Sequence, residues 1–173
     1  LKDLSIKKDS KYLFDRLSKE NNPKVIAEII QTISLQSSGL KEMYWIDSFE
    51  NHTESVIIEA LGKIYKQWKA VDKLSFFENH LYTIQEIHST NFYESYLFLF
   101  PERGLLKLYE IAKDSRNSRL RKYSATFAIH SLAKVWKNIE PHVQSEGKIL
   151  LEKILSTEND RTLVDLYFAF TFF

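Results

Sequence analysis

Apolar and polar positions recur along this chain with a helical period, most clearly from Arg116 to Lys137, RNSRLRKYSATFAIHSLAKVWK. The stretch contains neither Gly nor Pro. Wound at about 100° per residue, Leu120, Ser124, Phe127, Ala128, Ile129, Leu132, Val135 and Trp136 cover a broad apolar arc. Arg119, Lys122, Thr126, His130 and Lys137 fall together on a narrow polar stripe. So wide an apolar arc needs neighbours on two or three sides, which predicts a helix inside a stack.

The rest of the chain reads in the same way. Tyr12, Leu13, Phe14 and Leu17 have helical spacing. Asn22 suits an N-cap and Pro23 a first helical position, so a helix is expected from Pro23 to Gln36, closed near Gly39. Leu40 to Phe49 is short and amphipathic. Asn51-x-x-Glu54 resembles a capping box opening a helix from Thr53 to Trp68. Ser75-x-x-Glu78 lies near the start of the next helix, about Val71 to His88. Asn91-x-x-Glu94 opens another that ends before Pro101, and Pro101 or Glu102 begins one reaching Lys113. After the 116–137 stretch, Pro141 starts a helix to about Leu155 and Asn159 starts the last. Phe168, Phe170 and Phe172 alternate as in a strand, but Leu163, Leu166, Tyr167 and Phe170 fit a helix, and helix is the reading taken.

These expectations amount to a single all-α domain over 1–173, with about ten helices paired at roughly 10–37, 40–68, 71–100, 101–138 and 141–172. Internal repetition orders them. VIAEII from Val25 and VIIEAL from Val56 share Val-Ile-x-Glu, and FYESYL from Phe92, LRKYSA from Leu120 and LVDLYF from Leu163 repeat the apolar pattern. The polar face of each second helix then falls in one sector: Lys24 and Glu28, Glu59 and Lys66, Phe98 as an aromatic member, then Arg119, Lys122, Thr126, His130 and Lys137. The expected architecture is a right-handed α-solenoid of about five antiparallel helix pairs, with that aligned stripe as the candidate partner-binding face.

Asp114 followed by Leu120, Arg121 and Ala125, together with Val56 to Ile64 (VIIEALGKI), resembles the second helices of HEAT and armadillo-like repeats. The resemblance implies that Asp114 in the turn and Arg121 early in the helix link successive repeats. Asn22 and Ile26, and Asn51 and Ile57, stand at the comparable places of the first two repeats, so the ladder is incomplete. More weakly, the run from Gly104 through Asn159-Asp160-Arg161 and Leu166-Tyr167 resembles the C-terminal helical-repeat region of zinc aminopeptidases. That resemblance implies a part in shaping a substrate chamber built elsewhere. It carries over no catalytic residue, because no His-Glu-x-x-His is present.

Composition narrows the chemistry. There is no cysteine, which removes disulfides, thiolate metal sites and cysteine nucleophiles and fits a reducing, cytoplasmic compartment. Four Gly and three Pro among 173 residues suit helices joined by short polar loops. A net charge of +1 implies no general affinity for nucleic acid or anionic membrane. No apolar run reaches the roughly 18 residues of a membrane span. Asn51-His52-Thr53 matches a glycosylation triplet, read here as a chance match. The chain begins at Leu1 and stops within an apolar run, as a piece of a longer protein would, and Phe170, Phe172 and Phe173 suit packing against the rest of that protein.

No phosphate-cradling glycine loop, Gly-x-Ser-x-Gly motif or paired carboxylate marks a catalytic centre, and no cofactor is implied. His80 and His88, with Glu78 and Glu86, lack the spacing of a metal site and read as surface residues. Phe76, Phe77, Tyr82, Phe92, Tyr93, Tyr96, Phe98 and Phe100 read as rings filling the space between layers. The function expected is a non-catalytic scaffold for a protein or peptide partner. The alternative is the helical tail of a larger metallopeptidase. A third reading is phosphate-backbone contact through Arg119, Lys122 and Lys137.

Overall fold

The computed structural model describes residues 12–36 and 43–135; the side chains of Gln36, His130 and residues 132–135 are outside the description. Lys137 and the helices expected from Pro141 and Asn159 also lie outside it. The described residues are helical, with no strand among them. In chain order the helices are α1 (12–17), α2 (Pro23–Gln36), α3 (Met43–Asp47), α4 (Ser55–Trp68), α5 (Leu74–His80), α6 (Glu86–Leu99), α7 (Pro101–Lys113) and α8 (Arg119–Val135). The chain divides into two compact units, residues 1–88 and 89–173, and the division falls within α6.

In the first unit, local chemistry sets α2. Asn22 Oδ1 accepts the Lys24 backbone N–H at 3.0 Å, the N-cap bond expected of Asn before Pro. Ile26, Ile29, Ile30 and Ile33 are buried on one face, and Lys24, Glu28 and Gln31 stay exposed on the other. That face packs on α4. Gln67 Nε2 of α4 also donates to the Ser34 carbonyl at 2.8 Å, satisfying one of the carbonyls left open in the last turn of α2.

α4 is the most enclosed helix of the unit. Every residue from Ile57 to Gly62 is buried, so this helix is covered on all sides. It stops at Trp68 because Lys69 turns left-handed (φ 54°) and the Ala70 N–H bonds back to the Tyr65 carbonyl at 3.0 Å. Its start differs from the expected capping box. Glu54 takes the N-cap position without a side-chain bond, and Ser55 instead spends its hydroxyl on the Gln85 N–H at 2.8 Å.

That bond explains the largest departure from the expected elements. A helix from Val71 to His88 is replaced by α5, a loop over 81–85, and α6 running unbroken through Asn91. Leu81 and Ile84 in the loop are both buried. Burying each contributes about 1.5–3 kcal/mol, more than the helical bonds given up at about 1 kcal/mol apiece.

In the second unit α6, α7 and α8 enclose Phe92, Tyr93, Tyr96, Leu105, Leu108, Ile111, Ala128 and Ile129. Ser89, Ser95 and Ser124 are buried with them. Ser95 Oγ donates to the Asn91 carbonyl at 2.8 Å and Thr90 Oγ1 donates to Ser124 Oγ at 3.0 Å, so these hydroxyls are satisfied inside the core. Pro101 opens α7 as a first helical residue should. Gly104 lets α7 approach α6: a Cβ there would sit 2.9 Å from Leu97 Cδ1 and 3.1 Å from Leu97 Cα. α7 and α8 pack on each other across the turn 114–118.

Candidate functional site

Two groupings carry chemistry, one in each unit. In the second unit the site is the outward face of α8. Its entry is fixed locally: Asn117 Nδ2 donates to the Ile111 carbonyl at 3.0 Å, and Ser118 Oγ accepts the Arg121 backbone N–H at 3.1 Å. The face pointing into the core is made by Ser124, Ala125, Ala128 and Ile129. Leu120, Phe127 and their neighbour Tyr123 are left outside, 50%, 41% and 63% exposed. The Tyr123 and Phe127 rings stack at 6.1 Å.

This corrects the helical wheel. Leu120 and Phe127 belong to the apolar arc, but among its described side chains Ser124, Ala128 and Ile129 are the covered ones. The polar stripe lies alongside the uncovered ones. Arg119 is exposed, Lys122 and Thr126 are half-buried, and Thr126 Oγ1 donates to the Lys122 carbonyl at 2.9 Å. The outward face of α8 is therefore basic along one edge and aromatic along the other. The His130 side chain and Lys137 are outside the described residues.

Asp114 and Arg121 take separate partners. Asp114 holds Arg116 through Nε at 2.9 Å, Nη2 at 2.8 Å and the backbone N–H at 2.9 Å. These hydrogen bonds from Arg116 hold its carboxyl down at about 2. Arg121 reaches α6 instead, its Nη1 donating to the Tyr93 hydroxyl at 3.2 Å.

In the first unit the stripe residues do not share one environment. Lys24 and Glu28 are exposed on α2, and Lys66 is half-buried on α4. Glu59 is buried: its Oε1 pairs with Lys63 at 2.6 Å and its Oε2 accepts from His88 Nδ1 at 2.5 Å. It tethers α6 to α4 and is not open to a visitor. Phe98, in the second unit, is exposed.

The first unit holds a polar cluster that no motif announced. Tyr65, fully buried on α4, shares its hydroxyl between Asp47 Oδ1 at 2.9 Å and Glu50 Oε1 at 2.7 Å. Lys73 Nζ lies 2.7 Å from Asp47 Oδ2 and 3.1 Å from Glu50 Oε1, above the Tyr65 ring at 5.3 Å. His80 Nε2 donates to the Glu50 carbonyl at 3.3 Å, and Phe76 packs edge-on against Tyr65 and at 61° to the His80 ring. Burial, then the Glu50 and Asp47 carboxylates, push the Tyr65 phenol far above its ordinary value. Burial pulls Lys73 down, but the hydrogen bonds and charges of Asp47 and Glu50 outweigh it and raise its pKa. Through the Tyr65 hydroxyl bonds to Asp47 and Glu50 the cluster fastens α3 and the following turn to α4.

Comparison of the chain with protein-family models, curated proteins and solved structures returns no match.

Sequence reasoning missed the clasp because Asp47, Glu50, Tyr65 and Lys73 have no local period in common; a buried Tyr and Lys facing two carboxylates emerge only from packing. His80 and His88, weighed together as metal ligands, go to different partners, Glu50 and Glu59. Among the described residues no group of three His, Asp or Glu could hold a metal ion. No described helix is long and apolar enough to cross a membrane.

Proposed function

We propose that this chain is a non-catalytic helical scaffold, a degenerate HEAT-like α-solenoid, that holds a protein or peptide partner on the outward faces of its second-of-pair helices. The observation that carries the proposal is the outward face of α8, where Leu120, Tyr123 and Phe127 stay uncovered beside Arg119 and Lys122. Contiguous apolar surface of this kind, rimmed by polar residues, marks docking sites. The direct packing of α2 on α4, both second-of-pair helices, supports a stacked arrangement within the first unit. A reducing, cytoplasmic setting suits the cysteine-free chain.

The test is site-directed. Tyr123→Ser with Phe127→Ser removes the aromatic edge while leaving the buried residues of α8 in place. Partner capture by the wild-type chain is expected to be lost in this variant with its helical circular dichroism unchanged. Capture that survives the double change refutes the reading.

A further inference from the structure

We infer that the partner of the α8 face is an acidic amphipathic helix, one whose apolar residues recur at i, i+3 or i+4 and i+7 beside a flank of Asp or Glu. The inference rests on the docking reading above and names the class of partner for that same face. Leu120, Tyr123 and Phe127 stand at i, i+3 and i+7, a line about 10 Å long on the helix surface. A helix laid along such a line buries its apolar side chains while its own backbone groups stay paired internally. An extended peptide against a helix would gain no such backbone partners.

Charge selects the flank. Arg119 and Lys122 run beside the apolar line, and both lie in the first turn of α8. There the positive end of the helix dipole disfavours positive charge, and no acidic residue occupies that turn to relieve it. The nearest acid in sequence, Asp114, bonds Arg116 and reaches Lys122 only through a weaker charge interaction, so Arg119 and Lys122 keep most of their charge for a partner. A carboxylate supplied by a partner meets both the cations and the dipole, whereas a basic or neutral helix meets neither. Complementary charge of this kind raises association rate and fixes register more than it adds affinity.

Two synthetic helical peptides test it: the same Leu stripe flanked by Glu in one and by Lys in the other, measured by fluorescence anisotropy against the whole chain. The Glu-flanked peptide is expected to bind at least tenfold more tightly at low salt, with the gap closing as salt rises. Arg119→Glu with Lys122→Glu, both outside the core, is expected to reverse the preference. Tyr123→Ser with Phe127→Ser is expected to abolish binding of either peptide.

Equal binding of the two peptides, unmoved by the charge reversal, overturns the acidic class and leaves the docking face standing. Peptide binding that ignores the loss of Tyr123 and Phe127 overturns the docking face itself. Failure of both peptides to bind, with single-stranded RNA or phosphatidylserine vesicles bound instead, overturns the protein partner. Failure of both peptides together with a lowered melting temperature in the Tyr123→Ser, Phe127→Ser variant assigns the face to packing within the chain and also overturns the inference.

Discussion

At the scale of single residues, the clasp around Tyr65 makes the sharpest statements. Removing its hydroxyl leaves two partly buried carboxylates with Lys73 as their remaining donor. Hydrogen bonds to charged groups contribute about 1.5–3 kcal/mol. Tyr65→Phe is therefore expected to cost about 2 kcal/mol, read as a lowered urea midpoint with unchanged slope. The pH dependence follows from the raised values of Tyr65 and Lys73. A group whose folded value lies above its unfolded one stabilises fully below the unfolded value, and the contribution fades as pH rises past it. Stability should therefore hold to about pH 10 and fall above the ordinary values of 10.0 for Tyr and 10.5 for Lys. Tyr65→Phe should make that alkaline fall shallower. Asp114 behaves oppositely. With its carboxyl held at about 2, below the ordinary 3.8, its contribution is present above 3.8 and lost as pH drops toward 2. In an NMR titration Asp114 should titrate near 2, and Arg116→Ala should return it toward 3.8.

Single elements show where the sequence speaks plainly and where it does not. The bounds of α2 and α7 were legible because Asn22-Pro23 and Pro101 are punctuation with a mechanism. The join between α5 and α6 was not. Ser89-Thr90-Asn91 imitates the polar cluster of a helix start, yet Ser89 is buried and Thr90 bonds Ser124, so their polarity is absorbed by packing. The true break, Leu81 to Gln85, has neither Gly nor Pro; it is held open by Ser55, far away in sequence. Two helix positions give further tests. Lys69 sits at φ 54°, where a side chain costs about 1–2 kcal/mol and Gly does not. After the greater chain freedom of Gly in the unfolded state, Lys69→Gly is expected to stabilise by about 0.5–1 kcal/mol in thermal melts. Gly104 allows no such latitude. Its added Cβ would crowd Leu97 Cα at 3.1 Å, so Gly104→Ala is expected to cost about 1–3 kcal/mol despite its better helix propensity.

On the scale of the whole molecule, net charge separates the proposed partners by their expected salt dependence. A net charge of +1 supplies no field that gathers nucleic acid, and the described stripe on α8 offers Arg119 and Lys122. Two phosphate contacts give a loss of about tenfold in affinity between 50 and 200 mM salt, against 10³–10⁵ for a protein making six to ten. A measured loss above about 10³ on duplex DNA or RNA would favour the phosphate-backbone reading over the protein partner. Among the described residues the helical class was legible, since it rests on spacing alone. Half of the candidate face was legible too: the wheel placed Arg119, Lys122 and Thr126 together. It could not show that Leu120 and Phe127 stay outside, because an apolar arc records what a helix is able to bury and not what its neighbours reach.

The fastening of α3 has a consequence for how this corner comes apart. Five residues cannot sustain a helix by themselves, and this one is tied by Asp47 to the Tyr65 hydroxyl of α4 and to the Lys73 ammonium just before α5. Guanidinium chloride is a salt and screens such ties where the carboxylates reach solvent, while urea does not. Amide protons in this turn should therefore exchange early in dilute guanidinium chloride, and only together with the rest of the unit at matched strengths of urea.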